Sequence, residues 1–419
     1  MRRYDVVVVG AGAAGLMAAG TAASQGFRTL LIEKMEKPAR KVRITGKGRC
    51  NLTNARPLDE FVEKVRVNQP FAWDFLRFFS NLRTIEFFKK NGLPLVTERG
   101  ERVYPASGKA GDVANALEKF ARKHGTEIEC NTSALRIETR EGRVASITVR
   151  GRKNRLETIE TDHIIIATGG LSYPATGSTG DGYTLAHALG HRIVEVRPSL
   201  VPLQTKTASD EELDGLQLKN VNLTLFIDEN PVAQEFGEVD FFGNGVIGGA
   251  TILRVSREAV DALIDGHGVS LSIDLKPALT PAQISDRLDR ERAELEADAP
   301  LRNLLRKVLP HKLILPVAKR AGVKPTASLA EFTDDDRQAI VGVLKAYDLE
   351  VTDYRPFEEA IVTAGGVDVS QIDPMTLQSR LVPGLYFAGE VMDVDANTGG
   401  YNLQLAFSSG KLAGMLKHF

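Results

Sequence analysis

The sequence predicts an α/β protein built on a Rossmann-type domain of the glutathione-reductase kind, discontinuous in the chain, with an inserted β-barrel-like subdomain and a helical subdomain. Three observations predict it. A G-x-G-x-x-G turn at 10–15 follows an apolar strand and opens a helix of small residues. An acid, Glu33, ends the next short apolar strand, 18 positions after Gly15. The C-terminal segment returns to the same pattern, with a strand ending in Gly389-Glu390 and a helix opening at Gly399-Gly400.

The elements follow in order. Residues 6–9 read as a strand buried on both faces. Gly10 permits the tight turn, Gly12 lets backbone approach a pyrophosphate, and Gly15 lets helix and strand pack closely. The helix, which includes Ala14 and runs to about residue 25, aims free N–H groups at the phosphates. Glu33 is placed to accept hydrogen bonds from adenosine ribose hydroxyls, which disfavours a 2′-phosphate; Lys34 beside it joins the cofactor contacts. The rest of the chain makes the expected dinucleotide FAD.

A basic loop broken by glycines follows at 39–54. Arg40 and Lys41 are expected to pair with the FAD phosphates or ribityl chain, and Gly46, Gly48 and Arg49 to border the cofactor. Cys50 has two readings. It is a thiolate on the flavin face, activated by Arg49 and Lys47, or a small buried residue beside the cofactor. Asn51 is a candidate for contact with the flavin edge.

Residues 71–90 carry aromatics at helical spacing and predict a core helix pair, 98–105 a hairpin, and 107–124 a helix with its entry loop. Strands are expected at 127–138, 143–149 and 161–168. In two-domain flavoproteins of the glutathione-reductase type, an apolar strand ending like Ala167-Thr168-Gly169-Gly170 lies near the FAD phosphates, and Ala134 would flank the adenine. The loop 173–183, which contains Asp181, leads into a short helix.

The composition changes near residue 195. Strands at 198–203, 220–227 and 269–275 predict a barrel-like sheet. Thr280-Pro281 and Thr333 are helix starts, for helices at 282–297 and 333–347, with another at 303–309. The expected domains are 1–195 with 356–419, the barrel-like part 196–279 with 348–355, and the helical part 280–347.

At the C-terminal motif, the Gly389-Glu390 turn would bond the ribityl chain. Gly400 would let backbone lie against the isoalloxazine, and the helix start at Tyr401, Asn402 and Leu403 would point N–H groups at the flavin N1/C2 edge. Tyr401 is either a proton donor or a packing aromatic, and Asn402 is a second candidate for flavin contact.

The chain has 419 residues, 43% hydrophobic, with 53 Lys and Arg against 54 Asp and Glu. No global basic field points to nucleic acid, so none is expected as a partner. Two distant cysteines, Cys50 and Cys130, exclude a dithiol relay and fit a reducing compartment. No stretch suits a signal peptide or a membrane span, so the expected location is cytoplasmic. No metal site is expected, the partner is a small-molecule substrate, and the oligomeric state is left open.

The motifs G-R-C-N-L-T-N at 48–54, T-G-S-T-G-D-G-Y at 176–183 and L-Y-F-A-G-E-V-M-D-V-D at 385–395, with T-G-G-Y-N-L-Q at 398–404, resemble the HI0933-like/BaiN family of bacterial FAD-dependent oxidoreductases. The resemblance covers nearly the whole chain. It implies FAD and hydride transfer to or from a small organic substrate. Members are linked to reduction of unsaturated bile-acid intermediates, which favours an NAD(P)H-dependent reductase of an enone-like compound, and to aminoacetone oxidation, which makes a peroxide-producing amine oxidase the alternative. No second nucleotide fingerprint exists, so a nicotinamide donor is expected to dock transiently. A third reading, from the basic run 34–49, is an FAD-dependent protein that modifies or binds RNA. Two departures from the family pattern stand out. Lys47 lies in the G-R-C-N loop, which suggests a cation near the flavin, and Gly243-Asn244 stands where the family carries histidine.

Overall fold

The computed structural model describes residues 2–206 and 213–416. The chain folds as two compact units, 1–198 with 357–419 and 199–356. The barrel and the helical part share the second unit.

The first unit is organised by a seven-stranded sheet. Its parallel part runs Glu127–Cys130, Thr29–Glu33, Arg2–Val9, Leu156–Ile166, with Leu385–Phe387 added on the far side of Leu156–Ile166. The fingerprint strand is central and buried, which explains its unbroken valine run: Val6, Val7 and Val8 are fully enclosed. Leu156–Ile166 is long enough to serve twice. Its first half pairs antiparallel with Arg143–Arg150, which pairs onward with Ser133–Arg140.

The helix Ala13–Ser24 packs against the last helix, Tyr401–Ala413. Small residues make the contact close. A Cβ on Gly410 would lie 2.4 Å from the Ala14 carbonyl oxygen. The expected helix pair at 71–90 is Gln69–Phe78 and Asn81–Lys90, and the hairpin is Leu95–Glu98 with Arg102–Pro105.

Three differences from the expected elements have local causes. The strand expected over 127–138 breaks at Asn131, whose φ is +57°, into Glu127–Cys130 and Ser133–Arg140. The segment 198–203 is not one strand: Ile193–Ser199 pairs with Val362–Val367, and Leu203–Thr205 enters the barrel. The helix after the 173–183 loop begins earlier, at Asp181.

The second unit holds a closed six-stranded barrel, in the order Leu203–Thr205, Val246–Gly248, Asn230–Gly243, Gln217–Ile227, Val269–Asp274, Tyr347–Tyr354. The helix Ala250–Ile264 packs on Asn230–Gly243. Pro281–Ala293 and Asp334–Lys345 start with the expected threonine caps, each closed as a capping box by Gln283 and Asp336.

Candidate functional site

A cleft opens along the first unit's sheet. It is built where strands end and helices begin, the usual ligand position of an open α/β sheet. Of the residues expected at the cofactor, Gly10, Gly12, Ala14, Glu33, Lys34, Arg40, Lys41, Ala134, Ala167, Thr168, Gly169, Asp181, Gly389, Glu390, Asn402 and Leu403 line it.

The glycines of the fingerprint differ in what they do. A Cβ on Gly15 would sit 1.8 Å from the Gly10 carbonyl oxygen, so Gly15 is a packing residue behind the cleft wall. Gly12 has extended backbone, φ −81° and ψ −164°, and nothing lies within 4 Å of where its Cβ would be. No protein atom requires glycine there. The space a side chain would fill is part of the cleft, at the start of a helix with no side-chain cap and no acid in its first turn. That is a cradle for a phosphate, and it fits the pyrophosphate of FAD.

Glu33 lines one end of the cleft. Its Oε2 accepts the Ala11 N–H and its Oε1 the Met35 N–H, both at 2.8 Å. Burial pushes its carboxyl above the ordinary range, and the backbone bonds oppose that rise. The break at Asn131 brings Thr132 and Ser133 to the same end, with Ala134. Lys34 donates to Asp181 at 2.7 Å, and Arg40 pairs with Glu36, so both cations stand at the rim already partnered.

At the other end lies Glu390. Lys41 Nζ donates to its Oε2 at 2.8 Å, and the Thr363 N–H and the Ser172 hydroxyl donate to its Oε1 at 2.8 and 2.9 Å. The carboxylate is thereby fixed at the cleft wall. Ser172 and Thr363 are supports that sequence reasoning missed; their motif neighbours gave the only signal. Ser409 was missed too, and its hydroxyl accepts the Gly389 N–H at 2.9 Å. The helix Tyr401–Ala413 begins at Gly400, with no side-chain cap and no acid in its first turn. Its N–H groups are available to an electron-rich ligand edge.

Several expected residues lie elsewhere. Asn402 lines the cleft, but its amide is spent on the preceding loop: Nδ2 donates to the Ala396 carbonyl at 2.7 Å and Oδ1 accepts the Ala396 N–H at 2.9 Å. Tyr401 is 5% exposed and packs edge-on against Phe61, with centroids 4.7 Å apart, and burial raises its phenol. Gly170 sits against Thr363.

The loop 46–54 stands behind the wall rather than in it. Gly46, Gly48, Arg49, Cys50 and Asn51 do not line the cleft, and Gly400 abuts this loop: a Cβ there would lie 2.6 Å from the Thr53 backbone. The Thr53 hydroxyl donates to Gln404 Oε1 at 2.7 Å. The loop therefore buttresses the start of the last helix. Cys50 is fully buried and its thiol is pushed up to about 12 by burial, so the structure holds it as a neutral thiol. Arg49 pairs with Glu98 and stacks on Tyr104, Lys47 is exposed, and burial alone shifts the thiol, with no cation lowering it.

The profile of the HI0933-like protein Rossmann domain matches residues 4–416. The chain is 30% identical to the 3-dehydro-bile acid delta(4,6)-reductase of Clostridium scindens, over 97% of both chains. It is 29% identical to the ribosomal RNA dihydrouridine synthase of Escherichia coli, over 98% of this chain and 96% of that one. Among solved structures, it shares its fold with the 3-ketosteroid-delta4-(5alpha)-dehydrogenase of Rhodococcus jostii (TM-score 0.55, 15% identity), covering 100% of this chain and 97% of that one. Among the described residues, no helix is long and apolar enough to cross a membrane.

Proposed function

The chain belongs to the HI0933-like family and is an FAD-dependent oxidoreductase, and on that premise we propose that it reduces carbon–carbon double bonds conjugated to a carbonyl, with NAD(P)H as donor. One observation carries the reading: two relatives matching the chain end to end are named for reactions that fit one chemistry. A delta(4,6)-reductase acting on a 3-dehydro (3-oxo) acid saturates an enone. Dihydrouridine is uridine with its C5–C6 double bond saturated, and that bond is conjugated to the C4 carbonyl.

When bound, FAD would supply the redox chemistry: NAD(P)H gives up a hydride and becomes NAD(P)⁺, and the double bond takes a hydride at its β-carbon and a proton, drawn from solvent, at its α-carbon. The chain's own residues bind and orient. Gly12 and the uncapped helix behind it hold the pyrophosphate, and Glu33 holds the ribose. Glu390, fixed by Lys41, Ser172 and Thr363, holds the ribityl chain. The uncapped start of Tyr401–Ala413 would offer N–H groups to an electron-rich edge of the flavin.

The test is anaerobic. The holoenzyme is titrated with NADH and with NADPH, and then with a 3-oxo-Δ4 steroid. Bleaching of the flavin band by a nicotinamide, and its return on adding enone with equimolar loss of the enone, is the expected result. A band that returns only with oxygen, with peroxide formed in proportion to an amine donor, would replace this reading with the amine-oxidase one.

A second acceptor has its own support. Ribosomal RNA dihydrouridine synthases of two species, Escherichia coli and Haemophilus influenzae, each match 98% of the chain, so a uracil held in RNA is the alternative substrate of the same site.

A further inference from the structure

The near-zero net charge of the chain conceals an uneven distribution. Residues 34–109 hold 17 Lys and Arg against 8 Asp and Glu, whereas the whole chain holds 53 against 54. The loop 46–49 and the hairpin Leu95–Glu98 with Arg102–Pro105 gather part of this charge on one face.

The parts are joined by direct contacts. The Gly48 carbonyl accepts the Ala110 N–H at 2.7 Å, which places Lys109 beside the loop. The Val103 carbonyl accepts the Leu52 N–H at 2.9 Å, which lays the hairpin along the loop's exit. The Arg49 guanidinium lies 4.6 Å from the centre of the Tyr104 ring and is half exposed. Lys47, Arg99, Arg102 and Lys109 are exposed, and none makes an ion pair among the described residues. The acids of the face are fewer: Glu98, taken up by Arg49, with Glu101 and Asp112.

The face is also tied to the cleft. Thr45 lines the cleft, and its carbonyl accepts the Cys50 N–H at 3.0 Å, so the basic loop hangs from a cleft residue. The cations of this face are outside the cleft and are not needed to hold the cofactor's phosphates.

We propose that this face, carried by Lys47, Arg49, Arg99, Arg102 and Lys109, docks the sugar-phosphate backbone of a folded RNA segment beside the flavin cleft. The inference rests on the RNA-uracil reading above. Exposed cations on a sheet and loop, four of the five without an ion pair among the described residues, are the feature that phosphate contacts require, and each contact releases counterions. A small enone carries no such row of charges and would leave the face unused.

The test uses holoenzyme and a fluorescein-labelled RNA hairpin with uridines in its loop. Binding is measured against salt for the parent protein and for the triple variant K47A/R99A/K109A. These three residues lie outside the cleft, so flavin content and reduction of a small enone should be unchanged. The parent should bind with a steep negative salt slope, and the variant should lose about 2 to 3 from that slope, roughly 0.9 per contact, with at least tenfold weaker binding at moderate salt. A variant that binds as tightly, with the same slope, overturns the docking face. Dihydrouridine formed in ribosomal RNA by the holoenzyme is scored separately. If it forms equally with the variant, the RNA reading stands and the face is overturned. If the face binds RNA and no dihydrouridine forms, the face stands and the RNA-uracil reading falls.

Discussion

The chain has two glycine-broken turns near its N-terminus, and they differ in kind. In the turn 10–15, glycine answers first to contact, with Gly10 also at φ +98°. Gly15 would collide with the Gly10 carbonyl, Gly10 with the Ala167 carbonyl at 2.7 Å, and Gly12 with nothing but the cleft. In the loop 46–50, glycine answers to backbone angle. Gly48 has φ +85° and open space around it, while Lys47 and Cys50 hold φ +55° and +60° without glycine's freedom. One turn is framed by the helix and strands pressed against it and opens at Gly12 onto the cleft. The other is shaped by the path it follows behind the cleft wall, where it braces Gly400 through Thr53. A glycine motif thus marks a phosphate site only where an added Cβ would meet either the ligand's space or the elements that frame it.

The sharpest break in this comparison comes from Gly15→Ala beside Gly12→Val. Gly15→Ala forces the helix Ala13–Ser24 away from the strand Arg2–Val9, and we expect poor yield, a lowered Tm and no retained flavin. At Gly12 an added Cβ meets no protein atom, so the far-UV circular dichroism and flavin-free Tm of Gly12→Val should match the parent, while flavin retained per protein falls more than tenfold. Flavin retained at parental levels by Gly12→Val would mean that the phosphate path lies elsewhere.

The same contrast explains what the sequence could and could not reveal. The strand, turn, helix and acid of residues 2–33 are local signals, and each is where periodicity and turn chemistry put it. The threonine caps at 280 and 333 are local too. The helix Ala250–Ile264 went unread inside a region of strands. Its buried Ile252, Val255, Ser256, Ala259 and Val260 have helical spacing, but β-branched residues and flanking glycines mask it. The strand Asn230–Gly243 went unread because most of it alternates among half-buried and exposed positions on a barrel's outside. The support of Glu390 by Ser172 and Thr363 joins residues 27 to 218 apart, and no local pattern reports such a meeting.

A milder effect is expected at Gly48→Ala. The left-handed backbone there costs an L-residue about 1–2 kcal/mol, and no neighbour is struck. The Tm should fall by a few degrees, with flavin content and flavin spectrum unchanged. Loss of flavin from this variant would move the loop from buttress to cofactor contact and erase the distinction between the two turns.

The smallest effect is expected at Cys50→Ser, and it bears on chemistry as well as on shape. A thiol pushed up to about 12 by burial stays protonated from pH 5 to 10, so its charge cannot enter the pH dependence of turnover in that window. Serine replaces the sulfur with a hydroxyl that is smaller and more polar, in a site with no exposed surface. A loss of about 1 kcal/mol or so in stability is the expected scale for burying that group poorly bonded. Turnover, measured from pH 5 to 10, should overlay the parent's profile. The alkylating reagent iodoacetamide should meanwhile modify Cys130, which is part-exposed, well before Cys50 in the native parent. A pH profile that loses a limb in Cys50→Ser, or rapid alkylation of Cys50 protected by bound flavin, would show a thiolate facing the cofactor. The second turn would then have to be redrawn as part of the reacting site.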